Sequence, residues 1–153
     1  MKRLLTAILS FVLFASCACA ETMVCIIPKG QYVNVREKAS LKAFSIGEVR
    51  NGDEIECDGY ESGWVKCTFK GETAYVKAVY FEFADDADYR VTGNGRVRLR
   101  DSAGGKKVDF IALDTVVHVY GWQYAKDGSL WARTDGGFIS KAFLEIVVTE
   151  DEQ

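Results

Sequence analysis

Proline is almost missing from this chain: Pro28 is the single one in 153 residues, and His118 is the single histidine. With so little proline, stiff Pro-rich spacers and recognition segments are excluded. A lone histidine excludes histidine-built metal sites and leaves little material for a nucleophile–imidazole pair. A third lack is helical periodicity, since no stretch beyond residue 20 repeats its apolar residues at a 3.6 spacing for ten positions. No apolar run beyond residue 20 is long enough to span a bilayer. Basic residues are also outnumbered, 19 against 22 acids, so there is no cationic surplus to bind nucleic acid.

The first twenty residues stand apart. Met1-Lys2-Arg3 precedes an apolar run from Leu4 to Ala15, and Ala18-Cys19-Ala20 follows with small residues at the −3 and −1 positions. A basic start, a short apolar core and small residues at the end form a secretory signal, expected to be cleaved after Ala20. Cleavage removes Lys2 and Arg3 and no acid, which takes the net charge from −3 to −5. Phe14-Ala15-Ser16-Cys17 also resembles a lipoprotein box, with Phe where Leu is usual, so attachment to a membrane enters only through Cys17. The expected location is extracellular or cell envelope. Of the five cysteines, Cys25, Cys57 and Cys67 lie beyond this segment. Export permits a disulfide among them, and free buried thiols are the alternative. With the first hairpin turning through "DGYESG", Cys57 falls opposite Trp64, which disfavours a Cys57–Cys67 bridge and leaves Cys25 as the better partner.

What the chain has in abundance is alternation. "YVNVRE" (32–37), "DEIECD" (53–58), "WVKCTF" (64–69) and "TAYVKA" (73–78) switch between apolar and polar, separated by Gly-bearing turns. These are strands, and the fold class is all-β. The pattern then occurs again. Val33-Asn34-Val35-Arg36 aligns with Val97-Arg98-Leu99-Arg100, and Tyr75-Val76-Lys77 with Phe138-Ile139-Ser140. Internal similarity at this spacing marks duplicated units. Each unit has about 60 residues, near the lower size at which a domain folds alone. The pleat places Val33, Val35, Ile55, Val65 and Cys67 inward.

"YVNVREKASLKAFSIGEVRNGDEIEC", "GWVKC" and "GETAYVKAVYFE" together resemble the bacterial SH3-like (SH3b) domain. The resemblance covers residues 23–83 closely and 89–147 more loosely, where Arg98 replaces the Asn and the Gly-Asp turn before Val117 is missing. It implies two tandem small SH3-like β-barrels of about five strands each. The expected organisation is a signal peptide at 1–20, a first domain at 21–83, a linker at 84–88, a second domain at 89–148 and an acidic tail at 149–153. In this family such modules bind cell-wall peptides near the loop after the first strand, which points to Arg36, Glu37 and Lys38.

Aromatic residues supply the other candidate contacts. In the first unit these are Tyr32, Trp64 and Tyr75, with Asn34 expected to hold local backbone. In the second, "GWQYAKDGSLWART" carries Asp127-Gly128, which favours a two-residue turn. That turn pairs Tyr124 with Trp131 and Trp122 with Arg133, and puts all four on one face. The face is either a hairpin clamp, packed against the other unit, or a stacking shelf for a sugar ring or peptide. No metal spacing, cofactor motif or catalytic set is present, and His118 falls on the outer face of its strand. The expected function is non-catalytic recognition of peptidoglycan or an extracellular peptide. The alternative is an envelope scaffold that contacts another protein without wall affinity.

Overall fold

The computed structural model describes residues 21–149, so the signal segment with Cys17 and the tail beyond Thr149 lie outside the described residues. The described chain is all-β, with two single 3₁₀ turns and no α-helix. The first seven strands are β1 (Glu21–Cys25), β2 (Tyr32–Arg36), β3 (Ser45–Arg50), β4 (Glu54–Glu61), β5 (Trp64–Phe69), β6 (Glu72–Lys77) and β7 (Phe81–Val91). They are followed by β8 (Val97–Arg100), β9 (Lys107–Ile111), β10 (Val116–Tyr124), β11 (Leu130–Thr134), β12 (Gly137–Ser140) and β13 (Leu144–Ile146). Hydrogen-bonded neighbours run β3-β2-β6-β5-β4-β1-β7-β10-β11-β12-β8-β9, and β13 pairs with β7.

Two separate apolar clusters lie along this path. The larger gathers Met23, Cys25, Val35, Val65, Val76 and Phe81 with their neighbours, and the smaller holds Val91, Val97, Leu99 and Ile139. The inward positions expected from alternation, Val33, Val35, Ile55, Val65 and Cys67, are all buried. Strand register repeats as well as sequence. β2 meets β6 at Arg36–Tyr75, and β8 meets β12 at Arg100–Phe138. A bulge sits between Val35 and Arg36 on one side and between Leu99 and Arg100 on the other. Each closing strand ends in a 3₁₀ turn, Ala78–Tyr80 or Lys141–Phe143.

Three expectations are corrected. Residues 84–88 are not a linker but the middle of β7, an eleven-residue strand that pairs with β1 at Glu82 and with β10 from Phe83 onward. The acids of "FADDADYRV" look like a solvated connection, yet they follow strand period: Asp86 and Asp88 alternate with Phe83, Ala87 and Tyr89, Asp85 shares the face of those three, and all three acids find partners.

The first hairpin turns at Ser62-Gly63, both at positive φ (46° and 90°), so Glu61 faces Trp64. A bulge between Cys57 and Gly59 then moves the register and sets Cys57 directly opposite Cys67. All three thiols are free and buried. Burial, then the nearby Asp53, pushes Cys25 up to about 11, and burial does the same to Cys67, followed by Asp58 and Cys57.

The second hairpin uses a three-residue loop. Gly128 N–H donates to Ala125 O, Ala125 N–H donates to Ser129 O, and Gly128 takes φ +84°. A turn followed by a left-handed glycine adds one residue relative to the two-residue form. One added residue slips the register by one and reverses every side chain beyond it. Trp122 therefore faces Ala132, Tyr124 faces Leu130, and Trp131 and Arg133 face Gln123 and Gly121. The four residues expected on one face are split between two.

Candidate functional site

The split sorts the aromatic residues by job. Tyr124 stacks on Tyr60 of the first unit at 4.5 Å and meets Phe83 edge-on at 5.6 Å. Tyr60 Oη donates toward the carbonyls of Ala125 and Lys126, 2.9 Å from each. Trp122 packs edge-on against Tyr89, and its indole N–H donates to Asp85 at 2.8 Å. Burial of Asp85 works against ionisation, but hydrogen bonds from Tyr89 and Trp122 outweigh it and hold the carboxyl below its ordinary value. The Tyr60, Phe83 and Tyr124 contacts join the two halves, while the Trp122, Tyr89 and Asp85 contacts tie β10 to its neighbour β7. Arg133 joins the halves as well, since its Nε and Nη2 donate to the two oxygens of Glu82 at 3.0 and 2.9 Å. Glu82 is the one buried charged side chain among the described residues.

Trp131 faces elsewhere. It borders a groove of about 460 Å³ together with Arg96, Arg98, Arg100 and Phe143. Arg100 lies over its ring at 5.5 Å. A groove of about 400 Å³ occupies the same place in the first unit, bordered by Tyr32, Asn34, Arg36, Trp64, Lys77 and Tyr80. The correspondence is position by position. Tyr32, Asn34 and Arg36 stand where Arg96, Arg98 and Arg100 stand, Trp64 and Trp131 pair with the last residues of the equivalent closing strands, and Tyr80 and Phe143 end the equivalent 3₁₀ turns. In the first groove the cation over the indole is Lys77, at 5.9 Å from Trp64. Trp64 is only 9% exposed, so Tyr32, at 52%, offers the open aromatic surface there.

The arginines that end the two aligned strands serve the loops. Arg36 Nη1 donates to Ala43 O at 2.8 Å, and Arg100 Nη1 donates to Gly105 O at 2.7 Å. Each guanidinium fastens the loop that follows its own strand. Asn34 Oδ1 accepts from Ser45 Oγ at 3.1 Å, a side chain of the neighbouring strand β3 rather than the local backbone expected of it. Of the remaining candidates, Glu37 and Lys38 are exposed on the loop outside the groove, and Tyr75 is half-buried beside Arg36 in β6. Arg96, Arg98 and Phe143 border the second groove although the sequence reading passed over them. The signal was available in the alignment of "VNVR" with "VRLR", which sets Arg98 against Asn34.

His118 sits on β10 between two carboxylates, Nδ1 at 2.8 Å from Asp88 and Nε2 at 2.8 Å from Asp86. Both nitrogens donate only in the imidazolium form. The thiols line the larger core, and burial holds all three above the ordinary cysteine range. A buried thiol kept protonated is a poor nucleophile. Among the described residues no group of three or more His, Cys, Asp and Glu is assembled to hold a metal.

Residues 31–82 match the family model of the bacterial SH3 domain. That span contains the first groove's wall apart from Ile27. No curated protein matches the sequence. Among solved structures, the chain is similar to NlpC2 from Trichomonas vaginalis at 13% identity and a TM-score of 0.36, over 87% of this chain and 49% of that one. It is similar to NlpC1 from the same organism at 15% identity and a TM-score of 0.37, over 82% of this chain and 45% of that one. The chain thus spans about half the length of each.

Proposed function

We propose that this is an exported, non-catalytic binding protein that recognises cell-wall peptide or glycan through two SH3-like units, one groove in each. The observation that carries the reading is the repetition of the groove itself. Core residues recur in a duplicated fold because both halves must pack. The cleft beside each core recurs with a tryptophan at the equivalent strand position, a cation near its ring, supplied by Lys77 in one and Arg100 in the other, and an aromatic rim. Aromatic faces with a few placed polar groups suit sugar rings and extended peptides. Two weak sites on one chain gain affinity for a polymer by avidity.

Co-sedimentation of the full-length chain with purified peptidoglycan tests the reading. Tyr32→Ala and Trp131→Ala should each weaken pelleting by roughly 1–2 kcal/mol, the scale of an aromatic anchor. The double variant should stay in the supernatant. If the parent protein itself does not pellet at low salt, wall recognition is excluded.

A second reading, a scaffold for another envelope protein, draws on a different feature. Leu41 and Phe44, 62% and 79% exposed, stand on the loop after β2. In that case Phe44→Ser abolishes capture of one defined exported protein and leaves peptidoglycan pelleting at background with or without the substitution.

A further inference from the structure

The two grooves share a shape but not a charge. The first presents Tyr32 and Asn34 at the positions where the second presents Arg96 and Arg98. With Arg100, three guanidinium groups line one cleft of a chain whose net charge is negative. None of the three forms an ion pair among the described residues, and no acid lines the cleft. Arg96 rests on the Phe110 ring at 4.3 Å, and Arg98 is exposed. Arg100 is the most telling. Its Nη1 is used by Gly105, while its Nε is buried with no hydrogen-bond acceptor. A guanidinium N–H closed off from solvent without an acceptor is unfavourable.

We infer that the second groove is a carboxylate site, taking an acidic peptide through Arg98 and Arg100 with its carbon skeleton laid against Trp131 and Phe143. This rests on the reading of the paired grooves as ligand sites and adds the chemical class of what enters one of them. Guanidinium forks match carboxylate and phosphate alike. The walls separate the two. Trp131 and Phe143 offer apolar surface that a peptide side chain covers and that an inorganic anion does not. The first groove keeps Arg36 and Lys77 but has Asn34, already engaged by Ser45, where the second has Arg98.

Two-dimensional ¹H–¹⁵N spectra of the full-length chain, read at the arginine Nε–Hε and tryptophan indole signals, test the assignment. The probes are N-acetyl-Gly-Glu with both carboxylates free, the same peptide as its diamide, and inorganic phosphate. The free acid should shift the Arg98, Arg100 and Trp131 signals in a saturable way. The diamide should bind about tenfold more weakly or worse, the usual loss when a charge-assisted hydrogen bond becomes a neutral one. Arg98→Gln should weaken the free acid to a similar degree without moving the thermal midpoint, since the Arg98 side chain has no ion-pair partner among the described residues. Equal binding of acid and diamide overturns the inference. So do shifts confined to residues outside this groove, or phosphate shifting the same signals as strongly as the peptide. Saturable binding of the free acid by a chain that does not pellet with peptidoglycan removes the wall reading alone. Pelleting with silent Arg98 and Arg100 removes the carboxylate site alone.

Discussion

His118 carries an acid–base consequence that can be measured at one ring. The hydrogen bond to Asp88, assisted by Asp86, raises its pKa above the ordinary value of about 6.5. A group whose pKa rises on folding contributes stability that is complete below its unfolded pKa and vanishes as pH climbs through the folded one. The contact between His118 and its two aspartates therefore supports the fold in mildly acid solution and releases it in alkaline solution. Titration of the imidazole signals should give a midpoint above 6.5, and Asp88→Asn should bring it back toward that value. An unchanged midpoint in the variant would assign the shift elsewhere. The sequence placed His118 on the outer face of its strand. Its partners were hidden because Asp86 and Asp88 were read as linker rather than as the strand beside it.

At the scale of the element, the second hairpin shows where pattern reading runs out. Strand identity, the glycine at the turn and the aromatic content were all legible in "GWQYAKDGSLWART". Asp127-Gly128 is compatible with a two-residue turn and with a three-residue turn plus left-handed glycine, and the two differ by one residue of register. That residue decides whether Arg133 stacks in a shelf or binds Glu82. The bulge between Cys57 and Gly59 exchanged partners in the first hairpin by the same arithmetic. The observed register also makes Gly121 necessary, because a Cβ there would lie 2.6–2.9 Å from the Glu82 carboxyl group. Arg133→Ala should destabilise the protein by roughly 2 kcal/mol, since it leaves a buried carboxylate without its charged donors. Gly121→Ala should displace the same carboxylate and lower stability in the same direction. Urea denaturation measures both.

Taken whole, the molecule is two apolar clusters held by one strand. The all-β class and the duplicated strand pattern could be read directly from alternation and offset. The junction could not, because its contacts are between residues distant in sequence, Tyr60 with Tyr124 and Glu82 with Arg133. These contacts, together with β7 running unbroken from one sheet into the other, should make unfolding a single cooperative transition although there are two cores. Thermal melting followed by near-ultraviolet dichroism and by tryptophan fluorescence should give one coincident midpoint. Tyr124→Ala combined with Arg133→Ala should separate the two curves, with the smaller cluster around Val97 and Ile139 melting first.

The unbroken strand also governs how far apart the two clefts can stand. Modules on a floppy tether sample a wide range of spans and lose freedom whenever both engage at once. Here the interval is fixed by extended backbone and inter-strand hydrogen bonds along β7. Under the proposed function, a polymer whose acceptor groups recur at that interval would occupy both clefts with no loss of tether freedom, and one with a different period would be held by a single cleft.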